Sequence, residues 1–80
     1  MTDIPERLIE LELAAEVERA RLAGLCGEEY EDQRGRYCAG CEVLRVAIAE
    51  YAAATGQDVR VVERAVRQAA RQAQEDPAVE

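Results

Sequence analysis

Apolar positions recur at helical spacing in three stretches of the chain, and this pattern predicts three helices over about residues 4–25, 38–54 and 58–75. In the first stretch no Pro or Gly interrupts Glu6 to Ala23, and the residues are strong helix formers. Asp3 followed by Glu6 reads as a capping box, with Pro5 in the first turn, where its missing N–H does no harm. Gly24 and Gly27 are stop signals. In the second stretch Val43, Leu44, Ala47, Ile48, Tyr51 and Ala54 share one face at ~100° per residue, with Glu42 and Arg45 on the other. Thr55-Gly56 closes it, Gly56 serving as a left-handed cap residue. Asp58 is a good N-cap for the third helix, whose apolar stripe is Val59, Val62, Val66, Ala69 and Ala73. Glu75-Asp76-Pro77 ends it, leaving 77–80 as a frayed tail.

Between the first two helices, Cys26 to Tyr37 reads CGEEYEDQRGRY, with two Gly, six charged residues and no periodic apolar pattern. An ordered loop over 26–37 is expected, long for so small a domain, so something should hold it in place. The expected fold is all-α: one domain spanning 1–80, a three-helix bundle with a Cys-stapled loop between helices 1 and 2.

Helix 1 carries two apolar stripes. Ile4, Leu8, Leu11, Ala15, Leu22 and Leu25 form one; Ile9, Leu13, Val17 and Ala20 form a second, roughly opposite. Charges fill the gaps between them. A surface helix of a monomer needs only one apolar stripe. Either helices 2 and 3 straddle helix 1, or the second stripe meets another chain. The second alternative is preferred, because an 80-residue, Ala-rich chain has little core to spare.

Composition narrows the chemistry. There is no His, Lys, Ser, Asn, Phe or Trp, so most acid–base, Schiff-base, serine-nucleophile and imidazole–metal chemistry is excluded. All ten basic residues are Arg. Ala and Arg enrichment follows from GC-rich coding alone and is no sign of a role. The net charge of −7 argues against a general binder of nucleic acid or anionic membranes. Residues 1–32 hold ten acids and three Arg, whereas the other two regions are close to neutral. No apolar stretch is long enough to span a bilayer and no signal peptide is visible, so a cytoplasmic location is expected.

Cys26, Cys38 and Cys41 are the chemically distinctive residues, spaced C-x11-C-x2-C. If helices 1 and 2 form an antiparallel hairpin around a loop, the three sulfurs converge at its base. One outcome is a structural zinc site with Glu29 as fourth ligand, Glu28, Glu31 or Asp32 being substitutes. A second is a redox pair, CAGC at a helix start with Cys26 as a resolving thiol. A third is unreactive thiols or one incidental disulfide.

Arg60, Arg64, Arg67 and Arg71 recur at i, i+4, i+7, i+11 and share one face of helix 3. They suit phosphates in a helix-turn-helix arrangement, or a solvated face, or pairing with the Glu-rich helix 1. The acidic molecule and the lack of an aromatic beside the stripe disfavour nucleic acid. The function expected is therefore that of a small acidic, non-enzymatic interaction or regulatory protein. It would bind a protein partner, as a homodimer or in a larger complex, through Ile9, Leu13, Val17 and Ala20. The alternatives are a nucleic-acid-binding regulator using the Arg stripe and a thiol–disulfide protein using Cys38 and Cys41.

Overall fold

The computed structural model of the chain describes residues 4–75, with side chains through Gln74. The Asp3 capping box and the 77–80 tail therefore lie outside the described residues. Three helices follow one another: α1 (Glu6–Ala20), α2 (Gly27–Thr55) and α3 (Val59–Glu75), and the described residues contain no strand. The all-α three-helix bundle read from the sequence is the architecture observed.

The largest departure is in α2. The segment 26–37, expected as a loop, is helical from Gly27 onward, and α2 runs for 29 residues without a break. At 1.5 Å per residue it is about 43 Å long. Its inward face explains why. Gln33 is buried, and Tyr37, Gly40, Cys41 and Leu44 are half-buried, all at i, i+3, i+4 spacing in line with Ala47 and Ile48. The periodicity continues through the segment, carried by Gln, Tyr and Gly instead of aliphatic residues.

The first helix is shorter than the expected 4–25. After Ala20 the hydrogen bonds switch to i→i−3, with Leu22 N–H donating to Arg19 O and Ala23 N–H to Ala20 O. Gly24 then takes φ +85° and Cys26 is extended, which turns the chain into α2. The α2–α3 corner follows expectation. Gly56 is left-handed at φ 72°, its N–H donates to Ala53 O, and Gln57 N–H donates to Ala52 O at 2.9 Å. That pair of bonds satisfies the last carbonyls of α2. Asp58 Oδ1 accepts from the Arg60 N–H at 2.8 Å and caps α3.

The core sits where the N-terminal half of α1, the C-terminal half of α2 and the first half of α3 meet. Leu8, Ala47, Ile48, Ala52, Val62 and Val66 are buried together, with Ile4, Leu11, Leu44 and Tyr51 packed against them. On α3 the buried line is Val62, Val66 and Ala70; Val59 and Ala73, expected in the stripe, are exposed. Val43 and Ala54 of α2 are likewise outside the core. The three rejected positions Val59, Ala73 and Ala54 lie in the terminal turns of their helices.

Half of α2 projects beyond this core. Residues 27–40 lean on the C-terminal half of α1, where Gly40 passes close to the backbone of buried Ala15. The radius of gyration is 14.2 Å and the molecule measures 44 × 35 × 16 Å. A compact chain of this length would have a radius near about 12 Å.

Candidate functional site

Three features of the surface bear on function, and the first lies where α1 and α3 run side by side. Glu12, Glu16 and Arg19 of α1 line a polar groove with Arg67, Ala70, Arg71 and Gln74 of α3. Arg19 donates to Glu16 Oε1 at 2.9 Å. That hydrogen bond, above all, lowers the Glu16 carboxyl below its ordinary value and raises the Arg19 guanidinium. Glu12 moves the opposite way: burial raises its carboxyl first, and a hydrogen bond to Glu16 adds to the rise. Arg67 acts on both acids from across the groove. Pairing of the helix 3 Arg stripe with the Glu-rich helix 1 was one of the sequence-based alternatives, and Arg67 and Arg71 do face Glu12 and Glu16 across this groove.

Beside this groove, α2 contributes Tyr37 and Cys41. Tyr37 and Cys41 are neighbours one turn apart, and their interaction, above all, raises the phenol above its usual range; Arg19 opposes the rise. Tyr37 was not singled out in the sequence, although its i, i+4 relation to Cys41 was there to be seen.

The cysteines do not come together as expected. Cys26 is the exposed N-cap residue of α2, and Glu29 is exposed in its first turn. Cys38 and Cys41 lie about three and four turns further along the same helix, about 18 and 22 Å from Cys26 by helical rise. No group of three or more Cys, Asp or Glu among the described residues is placed to hold a metal ion. The expected convergence of three sulfurs depended on a loop folding back, and a continuous helix holds its ends apart. What remains is a pair: Cys38 exposed and Cys41 half-buried, both free thiols, at i, i+3 on one side of α2.

The second stripe of α1 is only partly covered within the chain. Ile9 and Leu13 are half-buried, Val17 is 49% exposed and Ala20 is exposed. The first stripe is the core-facing one, with Leu8 and Ala15 buried. Arg60, Arg64, Arg67 and Arg71 are all exposed. The four ion pairs among the described residues are local ones within α1 and α2, Glu16–Arg19, Glu18–Arg21, Glu31–Arg34 and Glu42–Arg45. Arg67 and Arg71 are the α3 arginines that line the groove with the acids of α1.

No known protein family, characterised protein or solved structure matches this chain. Among the described residues no helix is long and apolar enough to cross a membrane.

Proposed function

We propose that this protein is a non-enzymatic interaction module that pairs with a second copy of itself through the outer stripe of α1. The observation that carries this reading is the row Ile9, Leu13, Val17 and Ala20, left half-open on a helix whose opposite side is already core. Leu8, Ile48, Val62 and Val66 are the buried aliphatic residues larger than Ala. Each contributes about 1.5–3 kcal/mol by burial, a modest total for a chain of this length.

Charge supports a copy of the same chain as the occupant. Helices α1 and α3 run in the same direction, since Val62 and Val66 meet Leu8 while Arg67 and Arg71 meet Glu12 and Glu16. Glu6 lies within the apolar row, exposed Glu10 borders it on the side away from α3 with Arg7 beyond, and on the other side, past Glu12 and Glu16, stand exposed Arg60, Arg64 and Arg71. A two-fold axis parallel to α1 exchanges the edges, so that the acids of one copy face the Arg residues of its partner. This uses the Arg stripe without nucleic acid, which the net charge of −7 repels.

Sedimentation of the intact chain tests the reading. The expected result is a dimer that weakens as salt is added. Val17→Glu combined with Leu13→Glu should yield monomers with unchanged helical circular dichroism. A wild-type chain that stays monomeric at high concentration overturns it, and so does unfolding caused by Val17→Glu alone.

A further inference from the structure

Cys38 and Cys41 lie on α2, away from the α1 stripe, and α2 around them is built weakly for a helix of its length. Gly35 and Gly40 both lie inside the helix, where each Gly costs about 1 kcal/mol relative to Ala. Packing does not demand either. A Cβ added at Gly35 would meet nothing within 4 Å, and one at Gly40 would meet only Ala15, at an ordinary 3.9 Å. The segment 27–40 also lies outside the core, tied to α1 by the Gln33–Glu18 hydrogen bonds and the Gly40–Ala15 approach. The two thiols bracket Ala39-Gly40, the place where α2 leaves the core.

We propose that Cys38 and Cys41 are a reversible dithiol–disulfide pair, oxidised by exchange with a low-molecular-weight disulfide, and that closing the bond releases residues 27–40 of α2 from α1. Exposed Cys38 attacks one sulfur of the small disulfide as its thiolate, forming a mixed disulfide. The first small thiol leaves and takes up the proton that Cys38 gave up. Half-buried Cys41 then attacks the Cys38 sulfur. The Cys38–Cys41 bond forms, and the second small thiol leaves with the remaining proton. Two cysteine thiols are oxidised and one small disulfide is reduced to two thiols.

The coupling to structure is geometric. Side chains three apart on a helix have Cβ atoms about 5–6 Å apart. A disulfide needs them at about 3.5–4.5 Å. The helix must tighten or break at Ala39-Gly40 to close that gap. In that step the helical arm no longer points along α1. Cys26, about 18 Å away along the helix, can take up a small thiol but has no partner within reach to release it.

The test uses the full chain carrying Cys26→Ser, an exposed position, incubated with oxidised glutathione and read by intact mass and hydrogen exchange. The expected product is two hydrogens lighter and carries no adduct. Amides of 27–40 should exchange faster in it, while those of 44–52 keep their protection. Adding Cys41→Ser should trap one glutathione on Cys38. Gly40→Ala, which favours the unbroken helix, should shift the exchange equilibrium about fivefold toward the dithiol. Accumulation of two adducts with no internal disulfide overturns the proposal. An internal disulfide that leaves the exchange of 27–40 unchanged overturns the release of the arm. Neither result bears on dimer formation, which sedimentation of the reduced chain reads separately.

Discussion

The Gln33 side-chain amide donates to Glu18 twice, to its backbone carbonyl at 2.8 Å and to its carboxylate at 2.6 Å. Gln33 is the buried polar residue of the described chain, 5% exposed, and Glu18 lies just before the end of α1. One side chain thus supplies a partner for a carbonyl near the helix end and fixes where the projecting half of α2 lies. Replacing Gln33 by Ala removes both bonds and leaves a carbonyl without its partner. The expected cost is about 1–3 kcal/mol. Hydrogen exchange should show the loss first as faster exchange over 27–40, with the core amides following only as global stability falls.

Val66 is fully buried and Val62 nearly so, and both face Leu8 and Ile48 within a small core. Val66→Ala should destabilise the fold by about 2 kcal/mol through lost burial and a residual void. In a domain of this size that lowers the melting temperature by roughly 10 °C. Val61→Ala, on the side of α3 away from the core line and 51% exposed, should leave it within about 0.5 kcal/mol. Thermal unfolding followed by circular dichroism compares them directly.

These positions also mark what the sequence could show. The caps at Gly56 and Asp58 are local chemistry, and both formed as the residue types required. The core stripe of α1 was legible because Leu8, Leu11 and Ala15 repeat at the right period. The helical character of 26–37 was hidden for a physical reason. Its inward positions are Gln33 and Tyr37, whose contribution is a hydrogen bond and a part-buried ring, so a count of apolar residues misses them. That single misassignment carried the cysteine expectation with it, since a loop would return Cys26 to Cys38 and a helix cannot. The sequence offered pairing of the Arg stripe with helix 1 as one alternative, but which Arg faces Glu12 and Glu16 depends on how α3 docks, which no local pattern encodes.

The α2–α3 corner should respond to its two cap residues in distinct ways. Gly56→Ala forces a side chain into a left-handed conformation and should cost about 1 kcal/mol. Asp58→Ala deprives the Arg60 N–H of its acceptor and should cost a similar amount, about 1 kcal/mol. Asp58→Asn keeps an acceptor oxygen and should recover most of the loss. Because the two positions share one turn, the double variant is expected to depart from additivity. Urea denaturation of the four variants measures this.

Glu12 and Glu16 predict opposite pH dependences from neighbouring turns of α1. The Glu12 carboxyl is raised in the fold, mainly by burial and then by its bond to Glu16. A raised acid contributes favourably while it is protonated and loses that contribution as pH climbs through its folded value. At neutral pH the fold therefore carries an ionised Glu12 against its environment. Glu12→Gln removes that burden and supplies an N–H for the Glu16 carboxylate, which an ionised Glu12 cannot. It should be more stable than wild type at pH 7, and the difference should shrink as pH falls through the carboxylate range, where Glu12 itself becomes neutral. Glu16 is lowered, first by its hydrogen bond from Arg19. Its contribution is present above the ordinary carboxylate range and is lost as pH falls through its lower folded value. Glu16→Gln should accordingly be less stable at neutral pH, with the deficit disappearing in acid. Denaturant unfolding of both variants at pH 7 and in the acid range gives differences of opposite sign at pH 7 that converge toward zero on acidification. A Glu12→Gln chain less stable than wild type at pH 7 would show that the carboxylate is held there by Arg67 more strongly than burial disfavours it.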